Sequence, residues 1–220
     1  PTGASPNLVA TGPRPTGTPP ATVAPTQAQP PIPLLDQIGG PVYGLALRGD
    51  VAFVAAGSRL LAVDLADPGG PRIVGRSPVL AELAQGIALA GDRAWLPLGA
   101  AGLAVLDIGD PTAPSLLGTS DVPSANLHGV AIADGRAYLA DADGFVVVDI
   151  GEGAAIRVRG AVRGLGMVSG LAAADERVFA VGARRRLDIF DASDPDRPIA
   201  AGSYGGSGRI RDVAVAGDTA

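Results

Sequence analysis

The chain has 220 residues, 47% of them apolar, and a net charge of −5. That acidic balance excludes the basic footprint of a nucleic-acid binder. The lack of cysteine excludes a disulfide framework, a thiolate metal site and a cysteine nucleophile. All 17 basic residues are arginine, 19 of the 22 acids are aspartate, and there are 32 glycines and 20 prolines. Asp, Gly and Pro favour turns over helix interiors, so the fold is not mainly helical.

Residues 1–33 hold ten of the prolines, six threonines and a single charge, Arg14, with no Phe, Tyr, Trp or Ile before Ile32. Such a stretch buries too little surface to offset its ordering entropy. It reads as a disordered linker, or as a semi-rigid stalk of an exported protein. No run reaches the ~18 apolar residues of a membrane span, and no signal peptide is visible. The sequence opens on Pro1 and stops inside a repeat. It reads as a segment of a longer chain, with room for an anchor upstream of residue 1. Residues 34–38 are expected to form the outer strand of the last blade of a ring.

From Gly44 onward a repeat organises the chain. Gly44, Gly86, Gly129, Gly170 and Asp212 open similar stretches, spaced by 42, 43, 41 and 42 residues. An apolar triplet follows each, such as Leu45-Ala46-Leu47. Then comes a two-residue turn: Gly49-Asp50, Gly91-Asp92, Asp134-Gly135, Asp175-Glu176 and Gly217-Asp218. Gly and Asp tolerate the positive φ of tight hairpins. The third residue of the next strand is always aromatic (Phe53, Trp95, Tyr138, Phe179), taking half of the eight aromatics in the chain.

A third strand ends at Asp64, Asp107, Asp149 and Asp191. Beyond it stand Asp67-Pro68, Asp110-Pro111 and Asp194-Pro195, then Pro71, Pro114 and Pro198, then Gly75, Gly118 and Gly202. The third copy keeps the spacing with Glu152 and Gly160 but lacks both prolines. A fourth apolar stretch closes each unit.

Four short strands per ~42 residues mark a blade of a β-propeller. The expected fold is all-β, a β-propeller of four-stranded antiparallel blades with part of its ring in this chain. The divisions are a closing strand at 34–43, blades at 44–85, 86–128, 129–169 and 170–211, and a fifth begun at 212–220. At least five blades are therefore expected in the ring. The aromatic column should be buried between stacked sheets, with the Tyr138 hydroxyl at a polar partner or the rim. Pro97 lacks the ladder donor, so its strand should end or bulge there.

The strand of four apolar residues and Asp, followed by Ser/Ala-Asp-Pro and a second Pro, resembles the LVIVD-repeat β-propellers. Residues 60–68 and 187–195 carry the likeness best, and it extends over residues 44–220. The Trp-Asp dipeptide of WD40 propellers does not close the third strand. The resemblance implies bacterial or archaeal proteins, often exported, with no assigned chemistry and no catalytic residues to transfer.

Catalytic templates mostly fail. His128 is the one histidine, so histidine-pair metal motifs are excluded. No Gly-x-Ser-x-Gly elbow is present, and Gly205-Gly206-Ser207-Gly208 has no lysine to make it a phosphate loop. Asp141 and Asp143 form a calcium candidate that is short of the 6–8 oxygens calcium takes; no other metal or cofactor is indicated. Arg184, Arg185 and Arg186 are a charge run that could meet an anion or a partner.

Alternating strand directions put the repetitive Gly-Asp and Asp-Pro turns on one face. The other face varies between copies: Asn126 and His128, Asp141 and Asp143, Arg184 to Arg186, Arg209 and Arg211. Tyr43, Gln85, His128, Ser169 and Arg211 each precede a first strand. If first strands line the channel, these five make a partial ring at its mouth, a concave polar opening suited to a ligand. The reading is a non-catalytic, exported or cell-surface bacterial propeller that binds protein or glycan, or scaffolds, through this face. The alternative is a hydrolase or lyase at the channel mouth using His128 with Asp141 or Asp143.

Overall fold

The turns organise each unit first. In Asp134-Gly135 and Asp175-Glu176 both residues have positive φ, at 51°, 72°, 49° and 60°, the pattern of type I′ hairpins. In Gly49-Asp50 and Gly91-Asp92 only the glycine is positive, at 56° in both, as in type II′. The computed structural model describes residues 41–67, 69–124, 126–183, 186–205 and 210–215. The linker at 1–33, the expected closing strand at 34–38, Arg184, Arg185 and Arg209 lie outside the described residues.

Four antiparallel sheets, each with its strands in chain order, form the blades. Blade 1 holds β1 (Val42–Arg48), β2 (Val51–Ala56), β3 (Arg59–Asp64) and β4 (Arg72–Arg76). Blade 2 holds β5 (Ala88–Ala90), β6 (Arg93–Pro97), β7 (Leu103–Asp107) and β8 (Ser115–Ser120). Blade 3 holds β9 (Gly129–Ala133), β10 (Arg136–Asp141), β11 (Gly144–Ile150) and β12 (Ile156–Arg163). Blade 4 holds β13 (Val168–Ala174), β14 (Arg177–Gly182), β15 (Leu187–Asp191) and β16 (Ile199–Tyr204). The architecture is the all-β propeller expected from the repeat. Pro97 ends β6, and the β5–β6 ladder stops at Ala88↔Trp95, as its missing donor requires.

The aromatic column packs in one direction. Phe53 meets Leu96, Leu98 and Leu106 of the next blade. Trp95 meets Ala137, Leu139, Val146 and Val148. Tyr138 meets Val178, Ala180 and Phe190, where Phe145 and Phe190 also stack edge to face at 5.2 Å. These three aromatics have no exposed surface. Phe179 is buried less completely: it is partly exposed, on the flank of blade 4 turned away from blade 3, where no further blade is described. The Tyr138 hydroxyl is buried without an aligned hydrogen-bond partner, although the Arg136 guanidinium lies beside it and Asp134 and Glu176 of the turns are near. Burial pushes its pKa up, and the Arg136 guanidinium offsets only part of that.

A glycine column shapes the same junctions. A Cβ on Gly75 would collide with the Pro111 carbonyl of blade 2. One on Gly160 would come within 2.6 Å of the Pro195 and Asp196 carbonyls of blade 4. Each glycine thus seats the next blade's third-to-fourth turn. Those turns are built by Asp side chains. Asp67, Asp110 and Asp194 accept the N–H two residues on at 2.9, 2.8 and 3.0 Å, which are Asx turns. The third copy departs as its sequence does: Gly153 has φ 63° and the Gly151 N–H donates to Ala155 O at 3.0 Å.

Candidate functional site

First strands of successive blades lie side by side. β9 rests against β5 and β13, and a Cβ on Gly44 would come within 3.0 Å of Ile87. The chain continues this pattern beyond blade 4, since a Cβ on Gly170 would sit 2.8 Å from the Asp212 Cα. The first strands are therefore the inner strands, and the five residues preceding their shared core lie at one end of them.

Two of the five sit in bulges. The β1–β2 register shifts between Val42 and Gly44, and the β13–β14 register between Val168 and Gly170. The extra residues are Tyr43 and Ser169. A bulge re-aims a side chain at such places. Tyr43 is 49% exposed. Gln85 and His128 instead lie in irregular backbone, where their N–H groups donate to Pro97 O at 2.8 Å and Ala140 O at 3.1 Å. Arg211 is exposed.

Two of the polar groups tie neighbouring blades together. His128 Nε2 lies 2.6 Å from Val168 O of blade 4, and Nδ1 lies 3.1 Å from Asn126 O. Ser169 Oγ is 3.2 Å from both Val181 O and Arg211 O. The ring positions are thus linked in sequence through backbone carbonyls, from blade 3 to blade 4 and on to Arg211.

The carboxylates of this face are held elsewhere. Asp141 is 1% exposed. It accepts from Arg163 Nη1, from Ser124 Oγ at 3.1 Å and from the Asp143 N–H at 2.9 Å. Burial alone would raise its pKa, but the Asp143 N–H, Arg163 and Ser124 together hold it below the usual 3.8. Asp143 Oδ1 accepts the Gly164 N–H at 3.2 Å. The His128 ring and the Asp141 carboxylate are therefore not brought together as an acid–base pair. Among the described residues no group of three or more His, Asp or Glu is placed to hold a metal ion.

Of the arginine run, Arg186 alone is described. Its Nε lies 2.7 Å from an Asp188 oxygen, close enough for an ion pair but without hydrogen-bond alignment. Asp188 is 6% exposed in β15, at the position that is Leu61, Ala104 or Val146 in the other blades. Sequence reasoning missed this carboxylate. It also missed the arginines two residues before three of the aromatics. Of these, Arg93 Nη1 donates to Gly151 O at 2.6 Å and Arg136 Nη1 to Ala192 O at 3.4 Å, both across a junction. The recurring Arg-x-aromatic spacing at Arg93, Arg136 and Arg177 was the available signal.

The sequence model of the LVIVD repeat matches residues 39–77, 83–122 and 126–160. No curated protein matches the chain. Among solved structures it is similar to two computationally designed proteins. Ika8 has TM-score 0.62 and 13% identity over 80% of this chain and 52% of that one. Ika4 has TM-score 0.58 and 13% identity over 70% and 93%. A chain of the mitotic checkpoint complex has TM-score 0.55 and 17% identity over 70% of this chain and 46% of its own length. This chain thus spans about half the length of Ika8 and of the checkpoint chain, and at these identities the likeness is one of fold. The matched repeats take in more than half of the sequence and coincide with blades 1 to 3, so this chain belongs to the LVIVD-repeat family of β-propellers.

Proposed function

We propose that this chain is a non-catalytic binding or scaffolding module that recognises a protein or a glycan through its variable loop face. The observation that carries the reading is the contrast between the two ends of the inner strands. The repetitive face commits Asp67, Asp110 and Asp194 to its own turns and Asp92 and Asp196 to arginines of the neighbouring blades. The variable face presents an exposed tyrosine on a bulge, an exposed arginine and a half-buried glutamine, each just before an inner strand. Mixed polar and aromatic groups of this kind suit recognition of a surface more than chemistry on a bond. The hydrolase or lyase alternative needs His128 beside a free carboxylate, and the ring instead faces two carbonyls.

The same reading makes the chain an exported bacterial protein with residues 1–33 as its stalk. The support is composition: proline-rich, nearly uncharged and poor in aromatics. No helix among the described residues is long and apolar enough to cross a membrane. Protease added to intact cells should cut within residues 1–33 if the stalk lies outside.

Screening the full chain against glycan and peptide arrays tests the recognition. Binding that is lost in Tyr43→Ala and Arg211→Ala, but kept in Asp110→Ala on the opposite face, supports the reading. Binding that is indifferent to the first two substitutions sinks it.

A further inference from the structure

The departure of the third repeat has a counterpart in space. A cleft of about 420 Å³ opens at the junction of blades 2 and 3, on the face opposite the variable loops, lined by Ala90, Asp92, Arg93, Asp107, Leu117 and Gly153. Each of the two flanking junctions carries one arginine bridge. At the first, Arg48 of blade 1 crosses to blade 2, with Nη1 2.9 Å from Asp92 Oδ1 and Nη2 at Ile108 O. At the third, Arg159 of blade 3 binds Asp149 at 2.6 Å and forks onto both Asp196 oxygens at 2.8 Å.

Repeat register identifies the equivalents at the middle junction. Arg48 stands four residues after Gly44, and Ala90 four after Gly86. Arg159 precedes Gly160, and Leu117 precedes Gly118. The middle junction thus carries neither bridging arginine, and short or apolar side chains stand at both positions. The carboxylate that one of them would meet is kept: Asp107 ends its strand where Asp149 ends the next. Asp107 Oδ1 accepts the Gly109 N–H at 2.8 Å, and among the described residues Asp107 has no ion-pair partner. The turn that would fill the space is reduced to Glu152-Gly153-Ala154, and a Cβ on Gly153 would meet nothing within 4 Å. Arg93 also lines the cleft, but its Nη1 is committed to Gly151 O.

We propose that this cleft binds a guanidinium supplied from outside the chain, the arginine side chain of a peptide or protein partner. The planar fork of a guanidinium matches a carboxylate with two donors. Asp107 would receive it as Asp149 receives Arg159, with the second oxygen of Asp92 on the near wall. The aliphatic stem would lie on Leu117 and Ala90. The site is independent of the variable-face reading and stands or falls without it.

The test is amide NMR of the full chain titrated with N-acetyl-L-arginine amide, with the uncharged isostere N-acetyl-L-citrulline amide alongside. Saturable shifts at residues 92–93, 107–109 and 151–154 with the arginine probe alone are expected, at millimolar affinity for a single contact. Asp107→Asn should weaken binding about tenfold or more, the loss of a charge-assisted pair. Leu117→Arg supplies the guanidinium from within and should abolish it. Equal shifts from the citrulline probe, no saturable shifts, or wild-type affinity in both variants would overturn the proposal. Asp107 is exposed and its Asn replacement keeps the Asx turn, so that arm reads even if Leu117→Arg fails to fold.

Discussion

The junctions between the described blades and the flank of blade 4 turned away from blade 3 are built from the same residues and differ in burial. Trp95 and Phe179 occupy one register, nine residues after Gly86 and Gly170. Trp95 is fully buried and Phe179 partly exposed. Gly75 and Gly202 also share a register. The first is pressed against the Pro111 carbonyl, whereas a Cβ on the second would meet nothing within 4 Å. Arg136 reaches a carbonyl of the next blade, while Arg177 is exposed. Burial in this fold is therefore a property of having a next blade, not of a residue or its strand. Stability then divides into intrinsic terms for each blade and an interface term for each junction.

The largest expected effect breaks the comparison at its aromatic column. Trp95→Ala should cost roughly 3–5 kcal/mol, as for a large ring removed from a closed core. Phe179→Ala should cost clearly less, about 1–2 kcal/mol, since part of its surface is already in water. Urea unfolding followed by circular dichroism measures both. Emission of the single tryptophan should be blue-shifted in the folded wild type. Equal losses at the two positions would mean that the flank of blade 4 is covered like a junction.

The glycine column gives the next largest contrast. Gly75→Ala forces a methyl into the Pro111 carbonyl and must push two blades apart, at about 1–3 kcal/mol or more. Gly202→Ala should stay within about 0.5 kcal/mol. Thermal melts of the pair separate them, and a loss at Gly202 matching that at Gly75 would remove the distinction between junction and flank.

Much of this organisation is legible in the sequence, for a physical reason. Turns and packing registers are set by residues a few positions apart, and four copies print the same pattern four times. The Asp-Pro loops, the aromatic column and the strand-ending Pro97 follow from that. The matched repeats stop at residue 160 although blade 4 folds like the rest. What sequence could not give is the partner of each polar group. Asp141 is held by Arg163, 22 residues on, and His128 spans a junction to Val168, 40 residues on. Those pairings depend on blade-to-blade geometry. The fate of Phe179 likewise depends on a neighbour, and no property of its own strand reveals that.

Acid sharpens the comparison for polar groups. Asp141 is held below its usual value by its hydrogen-bond donors and Arg163, against the effect of burial. Asp64, Asp110 and Asp191 are lowered chiefly by the donors of their own turns. A depressed folded-state pKa stabilises above the unfolded value and loses that contribution as pH falls through the folded one. Melting temperature should therefore hold down to about pH 4 and then fall, since the ordinary value is 3.8. Asp141→Asn should destabilise by about 1–2 kcal/mol near neutrality, because a buried charge-assisted bond is lost, and should flatten the acid limb. An unchanged acid limb in that variant would show that the exposed turn carboxylates alone set it.

The smallest effect separates two hairpins that differ at one residue. Asp134-Gly135 and Asp175-Glu176 have the same backbone, and the second positions have φ 72° and 60°. Glycine adopts that region freely, whereas glutamate is strained there. The Glu176 backbone serves the fold at both ends: its N–H lies 3.3 Å from Asp134 Oδ2 of the neighbouring blade, and its carbonyl accepts the Ala192 N–H at 2.7 Å. Neither contact uses the side chain, so Glu176→Gly keeps both and relieves the strain. Part of that gain is offset because glycine has more freedom to lose on folding. The net expectation is a stabilisation of about 0.5–1 kcal/mol, read as a rise in the urea midpoint without change in slope. The reverse substitution, Gly135→Glu, should lower the midpoint by a similar amount. Should both substitutions leave the midpoint where it is, the two turns would differ in conformation despite their shared register.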